Sequence, residues 1–538
     1  MIKFKISSAI ILLIVSFSTT AQTASKVWVS DNGDGTYKNP IINADYSDPD
    51  AIRVGDDYYL ISSSFNQIPG LPILHSKDLV NWTIIGHALL QQPPIDAFSK
   101  VQHGNGVWAP SIRYRNNEFY IYYPDPDYGI YLTKAKNIVG PWSVPVLVEA
   151  GKGLIDPCPL FDDRGKNYLV HALAGSRAGF KSVVLLKELN AAGDKVISDG
   201  VLLYDGHEVD GTIEGPKIYT HNNYYYIFAP AGGVSTGWQT ILRSKNIYGP
   251  YERKVVLEQG TTTTNGPHQG AWVQTQTGED WFIHFQDKDA YGRVAHLEPM
   301  KWVNDWPVMG IDSNGNGIGE PVMIYKKPNV GKKYAIVTPQ ESDEFNDSKL
   351  GLQWQWHANT KLNWAYMYPS KGVLRMNCIL KPDTAKNLWD IPNTLTQKLP
   401  ADEFCATVKF SFLPKTNGEK FGLVILGMSY ADIAVTKKVD GLYLSYAKCI
   451  DAEHGKTEIE TEITKIPNGD LYFKVRVAKG AVCTFSYSDD GKTFIDVAET
   501  FKAVPGKWIG ATMGLFCTRT QVINDAGFSD VDWFRVEK

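Results

Sequence analysis

The chain has 538 residues, with 54 basic against 58 acidic side chains and a formal net charge of −4. That length exceeds what one hydrophobic core serves, so at least two domains are expected. The charge balance leaves no basic face for a nucleic-acid partner. The six cysteines (Cys158, Cys378, Cys405, Cys449, Cys483 and Cys517) lack CxxC spacing and make no disulfide framework in so long a chain, although five of them fall late enough for an occasional bridge.

Residues 1–21 read as a secretory signal peptide. Lys3 and Lys5 give a basic start, Ala9 to Phe17 a nearly unbroken apolar run, and Thr19-Thr20-Ala21 a small-residue cleavage site. The run is too short to span a bilayer and no comparable run follows, so no membrane span is expected. Without the leader's two lysines, 52 basic residues face 58 acidic ones, a formal charge of −6. The expected product is exported, either periplasmic or secreted.

From residue 40 to about 325 an internal repeat is visible. Strand-like aromatic segments recur at Tyr58-Tyr59-Leu60-Ile61, Phe119-Tyr120-Ile121-Tyr122, Tyr168-Leu169-Val170-His171, Tyr224-Tyr225-Tyr226-Ile227 and Trp281-Phe282-Ile283-His284. Their spacing, roughly 50–60 residues, is that of a four-stranded propeller blade. A polar turn precedes each, such as Gly55-Asp56-Asp57 or Asn116-Asn117-Glu118. Five blades over residues 22–335 is the economical reading, with the repeated strand taken as the one beside the central channel. After a polar, proline-interrupted connection, residues 336–538 resume short alternating strands such as Ala406-Thr407-Val408-Lys409-Phe410, separated by Asn-Gly and Asp-Gly turns. They suggest a β-sandwich, making the whole chain all-β. The connection over residues 326–340 is short and lacks the composition of a free tether; with the apolar strand Gly422 to Met428 it predicts a wide fixed interface with the propeller, and a sandwich loop at the rim of the pocket.

Ahead of the five repeated strands stand Asp48-Pro49, Trp108-Ala109-Pro110, Asp156-Pro157, Glu214-Gly215-Pro216 and His268-Gln269-Gly270. Three carboxylates thus occupy equivalent positions on turns stiffened by Pro or Gly. Carboxylates facing one another across a small pocket are the chemistry of glycosidic bond cleavage, one protonated to donate and one ionised to activate water. A third acid close by keeps the donor protonated through like-charge repulsion. Asp312-Ser313-Asn314-Gly315 and Asn32-Gly33-Asp34-Gly35 imitate calcium loops but lack the ligand set and flanking helices, and are read as turns.

Tyr46-Ser47-Asp48-Pro49-Asp50-Ala51-Ile52, Trp108-Ala109-Pro110, Asp156-Pro157, Ile213-Glu214-Gly215-Pro216 and Tyr291-Gly292-Arg293 resemble the signature motifs of glycoside hydrolase family 43. Residues 340–538 resemble the concanavalin-like, jelly-roll sandwich appended to that family's β-xylosidase and α-L-arabinofuranosidase branch. The resemblance implies Asp48 as general base, Glu214 as general acid and Asp156 as the residue that tunes the acid, with inversion at the anomeric carbon. It implies Phe65, Trp108, Ala109, Arg293 and His268 as substrate-binding residues. No cofactor is implied for the chemistry, but a calcium ion in the central channel is, with His268 as its ligand. Relatives often carry proline where this chain has Ser47. The expected substrate is a plant cell-wall oligosaccharide or polysaccharide, losing terminal α-L-arabinofuranose or, as the alternative, β-D-xylose. An endo-arabinanase and a non-catalytic sugar-binding propeller are the further readings. The sequence sets no oligomeric state.

Overall fold

The computed structural model describes residues 24–162 and 164–538; the leader reading falls outside them. Among the described residues no helix is long and apolar enough to cross a membrane. Five antiparallel sheets, four of them four-stranded and the last five-stranded, stand around a central channel. They begin at Asp50–Val54, Ser111–Arg115, Leu154–Phe161, Lys217–His221 and His268–Gln274. The last sheet is completed by Ile42–Asp45, which pairs antiparallel with Arg293–Val303 and so closes the ring with the start of the chain.

The repeated aromatic run is the second strand of each blade, not the one beside the channel. Glu118–Asp125 and Tyr224–Ala231 are buried along nearly their whole length because a neighbouring blade covers each face. That removes the usual apolar–polar alternation and explains why these runs dominate the sequence. The polar turns ahead of them are the hairpins that join first to second strand. Asn116-Asn117 and Asn222-Asn223 place both central residues at positive φ (52° and 59°; 46° and 63°), which suits the right-handed twist of the strands they connect. The hub residues therefore lie at the head of each innermost strand, one hairpin upstream of the repeat.

The C-terminal domain is two antiparallel sheets packed face to face, with Thr512–Arg519 central in one and Phe528–Glu537 central in the other. Phe404–Leu413 alternates as a sandwich strand should, turning Ala406, Val408, Phe410 and Phe412 into a shared core. Lys420–Leu426 is buried on both faces for a reason internal to the domain. Its outer residues Val424 and Leu426 are covered by Leu388, Trp389 and Ile391 of the same sandwich rather than by the propeller.

The contact between domains is made elsewhere. Ile68 and Trp356 exchange backbone hydrogen bonds of 2.8 and 2.6 Å. His103 stacks on Trp389 with ring centroids 3.5 Å apart. Lys288 pairs with Asp402 at 2.6 Å, and the Tyr291 hydroxyl donates to the Asp402 carbonyl at 2.9 Å. Ala290 of the propeller lies within the sandwich core itself.

Candidate active site

At the mouth of the channel a pocket of about 100 Å³ is lined by Asp48, Phe65, Trp108, Ala109, Asp156, Glu214, Gln269 and Arg293, with Trp508 arriving from the sandwich. All three hub acids predicted from the sequence are in its wall, as are Phe65, Trp108, Ala109 and Arg293.

Asp48 has φ 54°, two residues ahead of its blade's innermost strand. A left-handed backbone is costly for a residue with a Cβ, and such strain is held only where surrounding structure over-determines it. Here the surroundings include Ser63, whose hydroxyl donates to Asp48 Oδ2 at 2.5 Å, and Arg293, whose Nη1 lies 3.3 Å from Oδ1. The arginine is anchored in turn, its backbone N–H donating to Asp45 Oδ1 at 2.9 Å.

Asp156 also sits at positive φ, 57°, where the register of Leu154–Phe161 shifts between Ile155 and Cys158. The bulge breaks the alternation of the strand and aims the carboxyl into the channel. Asp156 is 4 % exposed, and burial first, then the charge of Glu214, pushes its pKa up to about 8; the Gly215 N–H, donating to Oδ2 at 2.7 Å, works against them. Gly215 has φ 60°, and a Cβ there would come within 2.8 Å of the Gln269 side chain. The residue after Glu214 is therefore glycine for space and for conformation, and its N–H ties the two acids' segments together. Below the pocket, the buried Lys217 donates from Nζ to Pro110 O and Ser111 Oγ, both at 2.7 Å, and lies 4.0 Å from Asp50. Its ammonium joins three blades across the channel and partly offsets the negative charge above it.

His268 is fully buried, with Nε2 3.2 Å from Glu214 Oε1 and Nδ1 without a partner. It stands behind Glu214 and does not line the pocket. Calcium takes six to eight oxygen ligands. Among the described residues no group of three His, Cys, Asp or Glu side chains close enough to share an ion includes His268. The stretch at Asp312 is a turn, its carboxylate accepting from the N–H groups of Asn316 and Gly317.

Trp508 was not legible as a site residue. It lies in Gly506-Lys507-Trp508-Ile509-Gly510, a sandwich loop whose Gly510 N–H donates to Asp45 Oδ2 at 3.1 Å. Its indole is 6.0 Å from that of Trp108 and 5.9 Å from the Arg293 guanidinium, and it remains 46 % exposed. A large aromatic surface left half open among charged groups is a sugar-facing wall in chemical character. The expectation that a sandwich loop reaches the rim of the pocket holds.

Residues 37–307 match the family described as Glycosyl hydrolases family 43, and residues 342–537 match the Beta xylosidase C-terminal Concanavalin A-like domain. The chain belongs to glycosyl hydrolase family 43. This family 43 enzyme is 37% identical over 501 residues to a protein named "Putative beta-xylosidase" from Xylanibacter ruminicola, covering 92% of this chain and 89% of the other. It is 30% identical over 529 residues to "Non-reducing end alpha-L-arabinofuranosidase BoGH43B" of Bacteroides ovatus, covering 93% and 94%. The solved GH43 BlXynB protein from Bacillus licheniformis superposes with a TM-score of 0.79 at 26% identity, over 93% of this chain and 99% of that one. The family 43 enzyme is thus a glycosidase with a five-bladed propeller and a concanavalin-like sandwich.

Proposed function

We propose that this glycosidase removes single pentoses from the non-reducing ends of plant cell-wall xylo-oligosaccharides, by a one-step inverting hydrolysis, as a β-D-xylosidase. The observation that carries the reading is the placing of Asp48, Asp156 and Glu214 around one small pocket that a sandwich residue, Trp508, narrows from above. A narrowed pocket suits a terminal ring better than the middle of a chain.

Asp48 acts as general base, deprotonating the water that attacks the anomeric carbon. Arg293 and Ser63 hold its carboxylate in place and leave little freedom for it to turn away. On the other face, Glu214 protonates the departing oxygen. Asp156 serves that step: buried beside Glu214, it makes the pair hold one proton near neutral pH. His268 orients Glu214 from behind. The sequence leaned towards arabinofuranose; xylose is placed first here because of the 37% identical relative's name. The second reading, an α-L-arabinofuranosidase, is favoured by the relative in Bacteroides ovatus. Export through the leader is part of the proposal.

Paired aryl β-D-xylopyranoside and α-L-arabinofuranoside substrates test it, with the first-formed sugar anomer followed by NMR. Faster turnover of the xyloside, releasing α-xylose first, is the expected result. Turnover of neither glycoside by folded protein, or release of β-xylose first, would overturn the proposal.

A further inference from the structure

Away from the pocket, the fifth blade buries a second group of chemically active side chains. His284 lies in the strand Asp280–Asp287, and His296 and Glu298 in Arg293–Val303; His284 and His296 are direct cross-strand partners. The three are 0 %, 1 % and 0 % exposed. Phe282, paired with Glu298, and Met300 belong to the apolar cluster shared with the fourth blade. Nothing in the hydrolytic reading uses these polar residues, and an apolar face gains nothing from them unless they satisfy one another.

Their hydrogen bonds leave them unsatisfied. His284 Nδ1 is 3.1 Å from the Phe285 carbonyl, which can only accept, so this nitrogen carries a hydrogen, and in the neutral ring Nε2 keeps a lone pair. That lone pair lies 3.2 Å from Glu298 Oε1, a second acceptor. His296 Nε2 lies 3.1 Å from Gln286 Oε1, and the orientation of that amide is set by its NH₂ group, which donates to Thr263 O and Asn265 Oδ1. His296 Nε2 is therefore the donor, and Nδ1 is a buried lone pair with no partner. Glu298 Oε2 is occupied by the Val322 N–H at 2.8 Å. One ligating atom from each of the three side chains lies within 4.8 Å of those of the other two.

We propose that His284, His296 and Glu298 form a structural site for a divalent transition metal, with zinc the preferred ion. Two neutral imidazoles and one carboxylate supply three of the four donors of a tetrahedral zinc ion, with water as the fourth, and each histidine has its other nitrogen fixed by an oxygen partner, as metal-bound histidines do. Ligands on a tetrahedral ion with bonds of about 2.1 Å stand roughly 3.4 Å apart. The His284–Glu298 contact of 3.2 Å is already close to that. A single proton between His284 Nε2 and Glu298 Oε1 would relieve their contact but leave His296 Nδ1 orphaned. A metal satisfies all three. Bound there, it would pin together the strands Asp280–Asp287 and Arg293–Val303, the second of which carries Arg293 at its head, without touching substrate.

The test uses the full chain, unfolded, stripped with a chelator and refolded with or without added zinc chloride or cobalt chloride. Zinc should be retained at about one per chain after dialysis, raise the melting temperature, and give way to cobalt with tetrahedral visible absorption bands. His296→Gln and Glu298→Gln should each retain less than a tenth as much metal. Glu298→Gln keeps a donor for His284 and so should still fold, which circular dichroism checks. Wild-type protein that binds no metal on refolding overturns the proposal. So does equal binding by wild type and both variants, which would place the ion on a surface cluster such as Asp451, Glu453 and His454.

Discussion

Trp508 offers the most direct check on how the sandwich shapes the pocket. Its backbone lies at φ 64°, in the left-handed region that glycine tolerates best. Trp508→Gly therefore removes the ring while relieving the backbone, so stability should be little changed. The ring is 46 % exposed. On a tryptophan of about 250 Å² that leaves roughly 115 Å² free, and a sugar ring covering half of it buries about 55 Å². At about 25 cal/mol per Å² this is worth ~1.4 kcal/mol, or about tenfold in binding. Because the face meets the sugar in both ground and transition state, the loss should fall on KM, with kcat held within about twofold. Steady-state kinetics on an aryl pentoside, alongside melting temperatures, measure both. An unchanged KM in a variant of unchanged melting temperature would refute the claim that Trp508 is a sugar-binding wall. A large drop in melting temperature would show instead that the ring holds the loop.

Asp48→Asn should abolish turnover with every leaving group, whereas Glu214→Gln should slow poor leaving groups most and spare activated aryl ones; equal losses across a leaving-group series would contradict the assignment of base and acid. Asp156, with its pKa raised to about 8, keeps a proton on the acid pair at neutral pH, so kcat/KM should fall as pH rises through that value. Asp156→Asn removes the charge that retains the proton, and the alkaline limb of the kcat/KM profile should move to lower pH by at least one unit; an unmoved limb contradicts the tuning role. Truncation after residue 335 removes the Trp356, Trp389 and Asp402 contacts along with Trp508. The remaining propeller should melt earlier and discriminate less between terminal sugars, and a truncated protein of unchanged melting temperature and selectivity would refute the fixed interface.

The propeller was legible because its blades repeat two strong local signals, a doubly buried aromatic strand and the polar hairpin before it. The same strength misplaced the emphasis: the longest apolar run is the strand covered on both faces, whereas the strand beside the channel is short and carries the chemistry. The hub acids were readable because Pro or Gly stiffens each turn. What those turns do to the backbone, with positive φ at Asp48 and Asp156, leaves no mark in the residue type. Glu214 and Asp156 read as separate positions in sequence, and only the Gly215 N–H shows how they are tied. Of the two reasons for expecting the interface, the short connection stands and the apolar strand was mistaken. Val424 and Leu426 are covered by the sandwich itself, and the contact with the propeller uses backbone groups and a histidine–tryptophan stack that no periodicity announces. Trp508 was hidden for a related reason, since one aromatic between glycines in a loop has no pattern to belong to.

Asp45 sits where three separate joins meet. It belongs to the strand that closes the propeller ring, its Oδ1 receives the Arg293 N–H, and its Oδ2 receives the Gly510 N–H beside Trp508. Those partners lie 248 and 465 residues further along the chain. As the polypeptide is made from its N-terminus, Asp45 emerges early and waits for nearly the whole protein before both contacts can form. Arg293 is seated only when the ring shuts, and Trp508 arrives only when the sandwich docks. The closed pocket is thus the last feature the molecule acquires: a chain broken before the sandwich can hold its acids, yet it lacks the Trp508 side of the pocket.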